Sequence, residues 1–191
     1  GGLAAAFAIS AALNERPRGK TIDVSMTEAV LATMGWVVSN HLIGGAEPVP
    51  QGNENPTSAP SGTFATADGP INIAANRDEQ WEALARHLGR EDLLSDPAYA
   101  SREERKKNRD RLRNALEATL KTRPGAEWVR ELTARGVPAG EILGVEAALD
   151  DLAASERELT RAMPVGGEEV TLIGSPIVTD GTRPHPASPP P

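Results

Sequence analysis

The chemistry open to this chain is bounded by which reactive side chains it has and how far apart they stand. It has no cysteine, so thiolate nucleophiles, cysteine-ligated metals and disulfides are excluded. His41, His87 and His185 are widely separated and form no ligand-spaced pair, so no metal site is expected. His41 reads as finishing a helix face and His87 as sitting at a solvated helix edge. No GxSxG elbow raises a serine nucleophile. Gly44-Gly45 and Gly166-Gly167 lack the phosphate-cradling pattern and read as a helix stop and a hairpin turn. Arg102, Arg105, Lys106, Lys107, Arg109, Arg111 and Arg113 form a basic run broken by Glu103, Glu104 and Asp110. That pattern reads as a solvated helix face laced with ion pairs. One stretch remains, NENPTSAPSG at residues 53–62. It is polar and glycine-containing, so its backbone can approach a ligand closely; it reads equally as a plain interdomain linker.

The elements around these residues follow from periodicity. Phe64, Thr66, Ile71 and Ile73 alternate on either side of Asp68-Gly69, the mark of a β-hairpin whose turn tolerates positive φ. Asn76 is the expected cap of the next helix, with Glu79 reaching back to it. Trp81, Leu84 and Leu88 give that helix its apolar face. Upstream, residues 2–13 predict a helix apolar nearly all round, which needs neighbours to cover it. A short strand is expected at residues 21–24. A helix starts at Ser25 or its neighbour, carries Met26, Val30, Met34, Val37 and His41 on one face, and ends at Gly44-Gly45. Met26 by itself reads as core filler.

Downstream, residues 101–120 predict one charged helix with a stripe of Leu112, Leu116 and Leu120. Another opens after Pro124, carries Trp128 and Leu132, and stops at Gly136. A brief strand or turn at residues 140–143, a helix through Val145, Leu149 and Leu152, and a hairpin about Gly166-Gly167 follow. Ile177 and Val178 suggest one more strand. The proline-rich tail from Arg183 is expected to be extended.

With 191 residues, 39% of them hydrophobic, the chain can bury a real core. A net charge of −7 argues against nucleic acid as a partner. The longest apolar run is too short to span a membrane. The absence of cysteine fits a cytoplasmic setting. The first residue, Gly1, and the closing Pro189-Pro190-Pro191 suggest a fragment.

Four segments, taken in order, resemble the class III CoA-transferases of the CaiB/BaiF family. They are IDVSMTEAVLATM (residues 22–34), SAPSGTFATADGPINIAANRDEQWEAL (58–84), GVPAGEILGVEAALDD (136–151) and GSPIVTDG (174–181). The resemblance implies an α/β protein of the CaiB/BaiF fold. Residues 1–46 would be part of the Rossmann-like large CoA-binding domain, 47–62 a linker or active-site loop, 63–173 an α+β small domain, and 174–191 a return segment and tail. It implies transfer of CoA from an acyl-CoA to a free carboxylic acid through an aspartyl-CoA intermediate. The CoA thioester would be a substrate, and no cofactor is bound permanently. Full-length members form interlocked homodimers.

In the family the nucleophilic aspartate opens the helix that resembles residues 2–13, a few residues before Gly1. No catalytic residue is therefore assigned within this chain, and Asp23 and Glu28 do not stand at that position. Met26 matches the family methionine that packs beside CoA and the aspartate. Residues 52–55 and 58–62 align with the region of a mobile glycine loop in formyl-CoA transferases, with Gly52, Asn53, Ser61 and Gly62 as its candidate site residues, although the run of consecutive glycines is missing. The related α-methylacyl-CoA racemases place an acidic residue before a segment matched here by residues 56–60, and that carboxylate is absent. Transferase is thus favoured; a racemase or epimerase, or a catalytically silent association module, are the alternatives.

Overall fold

The computed structural model describes residues 1–17, 19–154 and 159–184. His185 and the prolines that follow it lie outside the described residues. The chain divides into two compact units, Gly1–Gly52 and Asn53–Pro191.

The first unit is helical. Helix α1 (Gly2–Asn14) buries none of its residues and leaves Leu3 and Phe7 widely exposed. Ser25 caps α2 (Met26–Thr33), its Oγ accepting from Glu28 N at 3.2 Å. The single helix expected here is broken. Gly35 takes φ 42°, so a second helix, α3 (Trp36–Gly44), starts from it and ends at left-handed Gly45. No strand forms at residues 21–24: the segment pairs with no strand among the described residues, so no ladder is completed.

The second unit holds the core. Strands β1 (Ser61–Ala65) and β2 (Pro70–Ala74) form the expected hairpin, with Phe64 paired to Ile71. Neither Asp68 nor Gly69 takes positive φ; the last pair is Ala65 with Pro70, and four residues make the turn. Asp68 is thereby free to accept from Gly125 N at 2.8 Å and Thr66 Oγ1 at 3.0 Å, which holds its carboxyl below the usual range.

Helix α4 (Asp78–His87) starts one residue later than Asn76 capping would place it. Gln80 Oε1, not Glu79, reaches back, accepting from Arg77 N at 3.1 Å. After α5 (Asp92–Ser95) and a single 3₁₀ turn, the expected charged helix is two: α6 (Arg102–Lys107) and α7 (Arg109–Leu120), divided at Asn108. Helix α8 (Gly125–Ala134) and strand β3 (Ala139–Glu141) follow, and β3 adds to β2 so that β2 is central. Phe64, Ile71, Ile73, Trp81, Leu84, Leu112, Leu116 and Leu132 pack together with exposures of 3% or less, joining one sheet face to three helices. Helix α9 (Val145–Ala154) leads to a separate hairpin of β4 (Thr160–Val165) and β5 (Glu168–Ile173) about Gly166-Gly167. Ile177 and Val178 form no strand; a turn at Asp180-Gly181 leaves a lone bridge between Thr179 and Thr182.

His87 is not at a solvated edge. Its Nε2 donates to Glu131 Oε2 at 2.9 Å, its ring meets Trp128 edge-on, and its side chain is 12% exposed. Arg123 grips the same carboxylate at 2.6 Å. That contact first, and the one from His87 after it, bring Glu131 from 4.5 to about 2. A lowered carboxylate value means that its stabilising contribution is full above 4.5 and disappears as pH falls towards about 2. Glu131→Gln is therefore expected to be less stable than the parent at neutral pH, with the difference shrinking over that interval. Urea titrations at successive pH values check this, and a difference constant with pH contradicts it.

Candidate functional site

Residues 53–62 do not hang free as a linker. Asn55 N donates to Ser61 O at 3.0 Å, folding the segment back on itself. Asn55 Oδ1 accepts from Thr57 N at 2.9 Å and from Thr57 Oγ1 at 2.8 Å, and Asn55 Nδ2 reaches Asn76 Oδ1 at 3.3 Å. Residues 58–62 are all buried.

Gly62 permits this arrangement. A Cβ there would stand 2.8 Å from Asn53 O and 2.8 Å from Glu54 Oε1, and its φ is 150°. Only glycine lets the backbone of Asn53 and the carboxylate of Glu54 lie against β1.

The expected solvated face of α6 and α7 is solvated only in part. Lys106 and Lys107 do pair with Glu103 and Glu104 at the surface. Arg105, Arg109 and Arg113 instead turn inward onto residues 54–62. Arg105 is 2% exposed; its Nε donates to Ala59 O at 2.9 Å, Nη1 to Tyr99 O at 3.2 Å, and Nη2 to Asp78 Oδ1 at 2.6 Å. Arg109 Nη1 donates to Glu54 Oε2 at 3.2 Å and Nη2 to Asn55 O at 3.1 Å. Arg113 pairs with Glu54 Oε1. One turn further on, Glu117 Oε1 accepts from Ala65 N at 3.0 Å, closing an edge position of β1. The sequence reading missed these roles, though the signal was present: 105, 109, 113 and 117 recur every four residues, the spacing that aligns side chains on one helix face.

Beside Arg105 opens a cleft of about 390 Å³ lined by Asp78, Trp81, Glu82, Arg86 and Tyr99 among others. Its guanidinium groups are matched by Asp78 and Glu82, and Arg105 lies 5.6 Å over the Trp81 ring. It presents no nucleophile set beside a base. Among the described residues no group of three or more histidine, aspartate or glutamate side chains is placed to hold a metal ion. No helix among them is long and apolar enough to cross a membrane.

Comparison with known proteins decides what this arrangement belongs to. CoA-transferase family III matches along residues 1–191. The chain is a member of CoA-transferase family III. It is 32% identical over 184 residues to the acetyl-CoA:oxalate CoA-transferase of Acetobacter aceti, a match covering 95% of this chain and 46% of that enzyme. It is likewise 32% identical over 186 residues to the succinyl-CoA:mesaconate CoA-transferase of Haloarcula hispanica, covering 95% and 46%. A crystal structure of a CaiB/BaiF family protein from Brucella suis superposes with a TM-score of 0.79 at 29% identity, covering 95% of this chain and 48% of that one. The chain thus spans about half the length of the relatives it matches. Its fold is the mixed helix and sheet fold of the CaiB/BaiF proteins.

Within this family III chain the residues singled out by sequence fall into groups. Met26 is the first residue of α2, 76% exposed, and its Cγ stands 3.1 Å from where a Cβ on Gly1 would lie. The start of α1 and the start of α2 therefore meet within the first unit. Gly52 takes left-handed φ of 57° at an exposed turn that closes that unit. In the second unit, Asn53 and Gly62 are brought into contact through the Asn53 carbonyl. Ser61 is buried, and its Oγ accepts from Asn55 Nδ2 at 3.4 Å. Ser58 Oγ, in the same aligned segment, is buried without a hydrogen-bond partner among the described residues.

Proposed function

We propose that the whole protein is an acyl-CoA:carboxylate CoA-transferase whose nucleophile is an aspartate preceding Gly1. The observation that carries this is the family match over residues 1–191. It is supported by relatives whose names describe CoA passing between a thioester and a carboxylic acid. Two relatives of equal identity differ in the acid they are named for, oxalate and mesaconate, so no single acceptor is assigned.

The aspartate carboxylate attacks the thioester carbonyl; the C–S bond breaks, giving an aspartyl–acyl anhydride and CoA thiolate. The thiolate attacks the aspartyl carbonyl, releasing the first acid and leaving an aspartyl-CoA thioester. The acceptor carboxylate then displaces CoA from it, and the freed thiolate takes the new acyl group, regenerating the aspartate. One difficult exchange becomes four easier displacements. Met26, exposed where the starts of α1 and α2 meet, packs beside CoA and the nucleophile. Gly52, Asn53, Ser61 and Gly62 belong to the segment that serves as the active-site loop. The CoA thioester is a substrate, with no permanently bound cofactor. The enzyme acts in the cytoplasm as an interlocked homodimer, which covers the apolar side chains that α1 exposes, Leu3 and Phe7 among them.

Full-length protein is to be incubated with α-deuterated propionyl-CoA and a panel of ¹³C-labelled carboxylic acids. The expected result is ¹³C-acyl-CoA together with released propionate that keeps its α-deuterium. Deuterium loss without transfer gives a racemase and overturns the proposal; neither change leaves an association module and overturns it as well.

A further inference from the structure

We propose that Arg105, Arg109 and Arg113 are positioning residues that hold residues 54–62 as a fixed wall of the acyl-CoA site rather than as a swinging lid. The wall's purpose rests on the transferase reading above; its rigidity rests on contacts within the second unit alone.

Three observations converge on it. The arginines are spaced every four residues along α6 and α7, and each contacts a different part of the segment. Arg105 takes the Ala59 carbonyl, Arg109 the Asn55 carbonyl and Glu54, and Arg113 the other oxygen of Glu54. The contacts are out of solvent, where charge-assisted hydrogen bonds are strongest: Glu54 is 16% and Arg109 19% exposed at the side chain, and Arg105 2%. Gly62 lets Glu54 reach them, since any side chain there would occupy the place of its carboxylate. A lid needs a stretch of backbone that can leave its bed, whereas here two carbonyls and one carboxylate are held by guanidinium groups, two of them on α7, which also carries the buried Leu112, Leu116 and Leu120, and the third on α6, where Arg105 is itself buried.

The consequence for catalysis follows from where the wall acts. Contacts made alike to bound substrate and to the transition state alter KM and leave kcat nearly unchanged. Loosening the arginines frees residues 54–59 while Ser61 and Gly62 stay paired in β1, and weakens acyl-CoA binding without touching the nucleophile.

The test uses full-length Arg109→Met, with Arg109→Lys as the conservative variant. Hydrogen exchange is followed at the Asn55 and Thr57 amides, both hydrogen-bonded inside the segment. Residues 116–120 report the integrity of α7. Exchange in the segment is expected to quicken about tenfold with α7 unchanged. KM for acetyl-CoA or succinyl-CoA should rise about tenfold with kcat within about twofold, and lysine should restore part of both. Should α7 exchange also quicken, Glu54→Gln, which keeps shape and loses charge, takes the place of Arg109→Met under the same criteria. Unchanged exchange in the segment overturns the clamp, and faster exchange with unchanged KM overturns its positioning role. A full-length parent without any transfer activity sinks the transferase reading instead, and the exchange data still decide the clamp.

Discussion

Arg105→Met is expected to lower the stability of the folded chain by about 3 kcal/mol. Arg105 is the largest fully buried side chain among the described residues, yet it carries a charge and all three of its guanidinium nitrogens donate. Methionine fills much of the same volume, so little of the loss comes from a cavity. It comes from the carbonyl oxygens of Ala59 and Tyr99, both buried residues, left without this donor; each such orphan costs about 1–3 kcal/mol. Asp78, the third partner, is 73% exposed and is rehydrated when Arg105 goes, so no charge is stranded inside and the loss stays near the lower end of buried-pair values. Arg105→Lys keeps a charge but cannot span three acceptors in one plane, and should lose roughly half as much. Urea unfolding followed by tryptophan fluorescence gives the number. Trp81, under the Arg105 guanidinium, and Trp128 both report on the second unit. A loss under about 1 kcal/mol for methionine contradicts this account of the buried arginine.

Much of the second unit was legible in the sequence because local pattern and burial agree there. Phe64, Ile71 and Ile73 alternate and are buried as a pleated face requires. Leu112, Leu116 and Leu120 repeat every four residues and are fully buried. The misses have physical causes. Asn76 has the right chemistry for a cap, but its side chain is engaged by Asn55, and Gln80 serves the helix start one residue later. Apolar periodicity ran unbroken across Gly35, and only the backbone shows that this glycine takes a conformation no helix interior contains. The segment at residues 21–24 has strand-forming residues but lacks the neighbour that a strand needs.

The inward-turned arginines were misread for a related reason. A charged helix is normally a wet one, and the four-residue spacing of Arg105, Arg109 and Arg113 shows that they share a face without showing that this face turns inward. What distinguishes them lies about fifty positions upstream, in a segment whose carbonyls and single carboxylate need donors. Residues 53–62 looked equally like a linker or a binding loop from composition. The burial of residues 58–62 and the Gly62 contact make the segment a folded part of the second unit. The resemblance to the CaiB/BaiF proteins identified the family before the fold was in hand. It did not reveal these arginines, because no matched segment includes residues 102–113.

The second large effect concerns the residue on which the proposed chemistry turns. In the full-length protein, replacing the aspartate proposed to precede Gly1 with alanine is expected to lower kcat by at least about 10⁴-fold, the order seen when a covalent nucleophile is removed. The loss should appear in kcat with KM for the acyl-CoA little changed, as expected for a group that acts in the chemical step. A small drop in rate with a large rise in KM would instead make that residue part of the binding surface.

The most direct measurement is mass spectrometry of the full-length protein quenched during turnover with an acyl-CoA. The account predicts a covalent CoA adduct on the peptide containing that aspartate, removed by hydroxylamine and missing from the alanine variant. Transfer that proceeds with no such adduct, or with CoA attached to any residue between 1 and 191, would contradict it.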